Sequence, residues 1–190
     1  MHSHFTVVFD ACVLYPATLR NLLLQLATSG LFRARWTEEI HSEWIRNLLI
    51  DRPDIDPRKL QRLRILIDRA VPDCLVTGFE PLIGGLSLPD GNDRHVLAAA
   101  IRCQAAIIVT ANLRDFPDRA LVPLGVRAQH PDDFIAALID LDAETVCQGA
   151  KIMRHRLKNP PYTANEFLDL LRRHTLSKSA VKLQRFSELL

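Results

Sequence analysis

A handful of acidic side chains in this chain stand where they could hold a divalent cation against a phosphodiester. Asp10 ends the apolar run Phe5-Thr-Val-Val-Phe9. Asp90 and Asp93 precede an alanine-rich stretch, and Asp115 lies within Thr110-Ala-Asn-Leu-Arg-Asp-Phe-Pro117. Glu43 follows Glu39 by one helical turn. Magnesium and manganese take hard oxygen ligands, mostly carboxylates and waters. Such an ion polarises a phosphoryl group and acidifies water. Carboxylates gathered without a shared cation repel one another, so a cluster of them is costly anywhere but at a cation site.

Each residue also has a plainer reading. Asp10 and Asp115 could be turn or capping residues, and Asp93 an acid in a helix first turn. Asp90 could cap a helix, bind the metal as an extra ligand, or act as an outer-sphere acceptor. Between Glu39 and Glu43 the choice rests on position: Glu43 lies about 60° round the helix from Ile40, at the edge of the buried face. Glu38 and Glu39 suit the helix dipole instead. Thr110 and Asn112 would orient carboxylates or water, or serve only the turn. Arg94 and Arg114 would meet phosphates, or pair with the acids themselves. His95 reads as solvent-facing or structural, His41 as surface, and Trp44 as core.

The elements that must position these groups follow from periodicity and punctuation. Residues 5–9 and 106–110 are short, β-branched and apolar, as buried parallel strands are. Residues 33–36 and 74–77 read as further short strands. Helical spacing covers 17–29, which ends at Gly30. Thr37 caps a helix over 38–49, and Asp56-Pro57 opens another to about Ala70. Residues 93–103 form a helix whose alanines allow close approach to a sheet. Strands alternating with helices predict a parallel sheet with right-handed crossovers. Sites in such sheets lie outside the carboxyl ends of the strands, where Asp10 and the 111–117 loop fall. From Pro131 the pattern is helical. Thr163-Ala-Asn-Glu166 is a capping box, Ser177 is placed to cap a last helix, and Asn159-Pro-Pro161 separates helices.

Composition bounds the rest. With 190 residues, 48% of them hydrophobic, the chain can build one ordinary core with a small appendage. Charge is unevenly spread. Residues 131–150 hold five acids and no Lys or Arg, whereas 151–190 hold nine Lys/Arg against three acids. The basic segment suits a polyanion or is simply a solvated helical face. Type of element and charge both change near residue 130, dividing the chain into 1–130 and 131–190. Cys12, Cys74, Cys103 and Cys147 form no C-x-x-C pair, so they read as reduced thiols of a cytoplasmic protein rather than a zinc site. His2 and His4 could chelate a stray metal. No segment approaches the roughly 20 apolar residues of a membrane helix, and no signal-peptide pattern precedes the first strand.

These motifs together resemble the PIN-domain family. Phe9-Asp10-Ala-Cys-Val-Leu14 is similar to its opening strand and acid, and Glu43 to the second acid on an early helix. Asp93-Arg-His-Val-Leu-Ala-Ala-Ala100 is similar to the third acid at a helix start. Thr110–Pro117 is similar to the T-x-N-x-x-D-F block that carries the fourth. The match runs over about residues 5–130 in the family's order. Tyr15-Pro16 departs from the Ser or Thr often found there. The resemblance implies an α/β fold, a three-layer α/β/α sandwich around a parallel sheet. It also implies Mg²⁺-dependent (or Mn²⁺-dependent) endoribonuclease activity through Asp10, Glu43, Asp93 and Asp115, with Asp90 near the metal. Products would carry 3′-hydroxyl and 5′-phosphate ends. With an all-helical C-terminal extension, the chain resembles VapC-like toxins of type II toxin–antitoxin systems. That likeness implies a structured RNA target such as tRNA or rRNA, a cognate antitoxin and a possible homodimer.

Two other classes fit the chain less well. A catalytically inactive PIN scaffold binding an antitoxin or RNA would have no need to bear the repulsion of four acids. A haloacid-dehalogenase-type phosphotransferase needs an Asp where this chain has Cys12. Neither a G-x-x-x-x-G-K-[ST] loop nor a G-x-S-x-G elbow occurs.

Overall fold

The computed structural model describes residues 5–190; His2 and His4 lie outside the described residues. In chain order the elements are β1 (Thr6–Phe9), α1 (Ala11–Leu14), α2 (Ala17–Ala27), β2 (Arg33–Arg35), α3 (Glu38–Asp51), α4 (Pro57–Ala70) and α5 (Glu80–Ile83). There follow α6 (Arg94–Arg102), β3 (Ile107–Val109), α7 (Asp118–Leu121), β4 (Arg127–Gln129), α8 (Pro131–Leu141), α9 (Ala143–Arg156), α10 (Ala164–Arg173) and α11 (Ser177–Gln184). Two compact units result. One comprises the described residues up to Pro16 with Phe32–His130; the other comprises Ala17–Leu31 with Pro131–Leu190.

The first unit is built on a four-stranded sheet of order β2-β1-β3-β4, parallel at every pairing. Val7, Val8 and Phe9 of β1 are wholly buried, as a central strand covered on both faces requires. From β1 the chain steps outward to β2, then crosses to the other side of β1 for β3 and β4. That reversal makes the carboxyl ends of β1 and β3 the crevice in which such sheets bind ligands. Helix α6 packs on both strands; Ala98, Ala99 and Ala100 are fully buried, and Ala98 and Ala99 cluster with Val76 and Phe79 on the side of α5. Residues 74–77 are not a strand: a single parallel bridge joins Leu75 to Trp36, and Gly78 (φ +71°) turns the chain at once. Strand β4 had no sequence signal, because Arg-Ala-Gln at a sheet edge shows almost no apolar run.

Helix α3 carries the second acid, and its setting is buried and polar. Thr37 caps it, accepting from the Ile40 N–H at 3.1 Å. Ile40 and Trp44 are fully buried, and so is His41, which the sequence reading put at the surface. Polar partners explain the difference. Trp44 Nε1–H donates to His41 Nδ1 (2.9 Å), and His41 Nε2 lies 2.8 Å from Asp68 Oδ1. Trp36 Nε1–H donates to the same Asp68 oxygen at 2.8 Å. Burial pushes the His41 pKa down, so the neutral ring donates through Nε2 to Asp68. An imidazole with both nitrogens satisfied can sit in a core. The network ties α3 to α4, whose own cap is Asp56 accepting from the Arg58 N–H.

In the second unit α2 lies against α9. The approach is close at Gly149, where a Cβ would meet Leu26 Cδ2 at 3.1 Å. The capping box of Thr163 and Glu166 forms on α10. Ser177 does not cap α11, which begins after Leu176 without a side-chain cap of its own. Asp132, at the start of α8, supplies the acceptor instead, taking the N–H groups of Lys178 (2.9 Å) and Ser179 (2.8 Å) and the Ser179 hydroxyl (2.7 Å). Among the described residues no helix is long and apolar enough to cross a membrane.

Candidate metal centre

Asp10 leaves β1 at its carboxyl end and is 3% exposed. Its backbone N–H donates to Val109 O at 3.1 Å, which holds the ends of β1 and β3 level. Its Oδ2 accepts from the Thr110 hydroxyl at 2.7 Å and the Cys12 thiol at 3.0 Å. The Ala111 N–H in turn donates to Cys12 Sγ at 3.2 Å. Burial raises the Asp10 pKa and the charge of Glu43 adds to it, while the Cys12 and Thr110 hydrogen bonds pull it back. Sequence alone marks Cys12 as a reduced thiol standing where a phosphotransferase would need an aspartate; in the fold its thiol is a partner of the first acid. Tyr15 turns its hydroxyl to Asp51.

The remaining acids line one cleft of about 410 Å³. Helix α3 contributes Glu39, Ser42, Glu43 and Arg46 to its wall. The turn into α6 contributes Asp90, Asn92 and Asp93, and the loop after β3 contributes Asn112 and Asp115. Asp90 also accepts from the Asn92 N–H at 2.8 Å, so it caps the 3₁₀ turn Gly91–Asp93 while facing the cleft. Asp93 makes no side-chain cap. Its pKa is pushed up to about 7, first by burial, then by the charges of Asp10, Asp90, Asp115 and Glu43. Acids from four separate elements therefore act on one another's charge. Glu43 is the inner of the two α3 glutamates that line the cleft, its side chain 27% exposed against 55% for Glu39.

His95 is buried, 5% exposed, and not solvent-facing. Its Nε2 lies 3.4 Å from Glu43 Oε2 and its Nδ1 3.8 Å from Glu39 Oε2. Burial alone would lower its pKa, but the hydrogen bond it donates to Glu43 and the charges of Glu39, Glu43 and Asp10 outweigh it and raise it. The ring is a counterweight to the acids. Asn112 donates its N–H to Thr110 Oγ1 at 3.0 Å, so Thr110 joins the loop to Asp10. The two predicted arginines are placed differently. Arg94 donates through Nε to Gly91 O at 2.8 Å, and Arg114 is exposed; neither lines the cleft. Ser42, Asn92 and Arg46 line it without having been singled out. For Arg46 a signal existed, since 39, 42, 43 and 46 share one helical face.

The donor set fits a hard divalent cation. It is carboxylate oxygen throughout, it is partly desolvated, and its mutual repulsion falls when a cation is shared. As the side chains stand, no three His, Cys, Asp or Glu among the described residues converge as ligands of one ion.

Comparison with known proteins bears on this arrangement. Residues 131–185 match the family model described as the VapC50 C-terminal domain. A Mycobacterium tuberculosis (strain ATCC 25618 / H37Rv) protein named "Putative ribonuclease VapC50" is 43% identical over 94 residues, 50% of this chain and 55% of that protein. The match thus spans about half the length of the curated relative. No solved structure matches. Residues 6–114, more than half of the chain, match the model described as PIN domain, and they include β1, α3, α6 and β3, the elements that bring the acids together. The chain belongs to the PIN-domain family.

Proposed function

We propose that this chain is a divalent-metal-dependent endoribonuclease and the toxin half of a toxin–antitoxin pair, acting in the cytoplasm. The observation that carries the reading is the gathering of Asp10, Glu43, Asp90, Asp93 and Asp115 from separate elements at the carboxyl ends of β1 and β3. The name of the 43% identical relative supports the ribonuclease class. Asp10, Glu43, Asp93 and Asp115 would hold the ion, Mg²⁺ or Mn²⁺, with Asp90 beside them. A bound cation would supply Lewis acidity to the phosphodiester and favour deprotonation of the attacking water.

The chain's own residues prepare for this. Thr110 and Cys12 fix one oxygen of Asp10, Asn112 holds Thr110, and His95 holds Glu43. Such partners orient ligands and tune their basicity. Arg94 and Arg114 would meet phosphates farther along a bound strand. Residues 1–130 form the nuclease domain in this reading and 131–190 the helical extension. The substrate would be a structured RNA such as tRNA or rRNA, the controlling partner a small antitoxin, and a homodimer the working assembly.

The test is cleavage of total cellular RNA by purified protein in Mg²⁺, in Mn²⁺ and in EDTA, with calorimetric Mg²⁺ titration alongside. Discrete cuts that need metal, leave 5′-phosphate ends and vanish in Asp10→Asn are expected, with weaker Mg²⁺ binding by the variant. A folded, metal-binding wild type that cuts no RNA would return the chain to the scaffold class.

A further inference from the structure

We propose that Arg46 is the phosphate-contact residue of the cleft, engaging the polynucleotide backbone next to the cleaved bond. The inference rests on the nuclease reading. A polyanion entering a cleft walled by Glu39, Glu43, Asp90, Asp93 and Asp115 is repelled by every one of them. A cation among the acids can screen the phosphate at the reacting centre. The neighbouring phosphate needs positive charge from the wall, and Arg46 is the arginine that lines it.

Position and freedom both support this role. Arg46 is three residues beyond Glu43 on α3, so their Cβ atoms are about 5–6 Å apart on one face. An Arg at that site would ordinarily be spent on the nearby glutamates. Here Glu43 faces His95 at 3.4 Å, Glu39 is 3.8 Å from the other nitrogen of the same ring, and Ser42 donates to Glu38 O. Arg46 is exposed and makes no ion pair among the described residues. Arg94, by contrast, has its Nε committed to Gly91 O. A planar guanidinium with its donors unspent is suited to a bidentate phosphate contact.

The experiment is fluorescence anisotropy of a labelled single-stranded 20-mer RNA in Mg²⁺ over a range of NaCl. The parent is the Asp10→Asn protein, so that binding is read without cleavage. Arg46→Ala is expected to weaken binding about tenfold at low salt and to reduce the slope of log K against log[salt] by about 0.7, the value for one phosphate contact to a single strand. Arg46→Lys should recover the slope and part of the affinity, and Arg46→Glu should weaken binding further. A variant weakened only by poorer folding would keep the parent's slope, and that result overturns the proposal. So does an affinity and slope unchanged in Arg46→Ala, which leaves the nuclease reading standing. Failure of the parent to bind RNA at any salt would overturn the Arg46 proposal, while the nuclease reading stands or falls on the cleavage test.

Discussion

Asp93 and His95 stand two residues apart and answer the same acidic field from opposite sides of neutrality. Both pKa values are raised, that of Asp93 to about 7. A raised carboxyl pKa means that the folded, metal-free protein holds protons the unfolded chain has released. Stability then falls as pH rises from the ordinary carboxylate range through 7. His95 adds in the same sense, since its contribution is lost as pH passes its folded-state value. Unfolding midpoints measured in EDTA between pH 5 and 8 are therefore expected to decline with pH. Added Mg²⁺ should flatten or reverse that decline, because a shared cation replaces the protons. His41, whose pKa burial lowers, contributes in the opposite sense, so the decline is expected to be shallower in Asp93→Asn; an equal slope in that variant would show that the acids do not interact as described. Binding of Mg²⁺ at pH 6.5 should also release protons, seen as a dependence of the calorimetric heat on buffer ionisation enthalpy.

Among the elements, α3 and α11 show how a helix is set by a partner distant in sequence. The His41–Asp68 pair and the two indoles that flank it fix α3, and so the height at which Glu43 and Arg46 enter the cleft. Truncating an indole as enclosed as Trp44 costs about 3–5 kcal/mol. At α11 the buried carboxylate of Asp132 does the work of an N-cap from 46 residues away. Asp132→Ala is expected to destabilise the protein by about 1–2 kcal/mol, as loss of a cap does, read as a lower urea midpoint. Ser177→Ala should leave the midpoint unchanged, because no side-chain cap from Ser177 exists. Equal effects of the two variants would contradict this division of labour.

For the whole molecule, the interleaving of the two units matters more than a boundary at 130. Helix α2 follows β1 closely in sequence yet packs on α9, with Leu22, Leu23 and Leu26 fully buried. A chain cut after His130 loses α9. Re-exposing Leu26, which lies against Gly149 of α9, costs about 1.5–3 kcal/mol. The truncated protein is expected to melt at lower temperature than the full chain and to bind a hydrophobic dye such as ANS. A cooperative melt at the full-length midpoint without dye binding would show that α2 does not need the C-terminal helices. The same packing softens the charge contrast between 131–150 and 151–190, because Lys178 pairs with Asp133 and Lys182 with Asp140. Charge reversal at Arg156 or Arg185, which are exposed and outside those pairs, tests an RNA surface there without the damage a deletion would do.

Most elements and the roster of acids could be read from the chain because their signals are local. Apolar runs mark β1 and β3, caps at Thr37, Asp56 and Thr163 mark helix starts, and T-x-N-x-x-D-F marks the loop after β3. All are interactions within a few residues, so sequence by itself determined the α/β alternation and the candidate acids. Only the tertiary structure decided which groups meet. Thr110 reaches Asp10 across 100 residues, His41 finds Asp68 on another helix, and His95 is enclosed with Glu43. The edge strand β4, the remote cap from Asp132 and the placement of α2 with the C-terminal helices were equally hidden. A side chain's period and its neighbours in sequence set its local conformation, but burial and partner are properties of the packed whole. No local pattern distinguishes a histidine facing water from one whose two nitrogens are satisfied in a core.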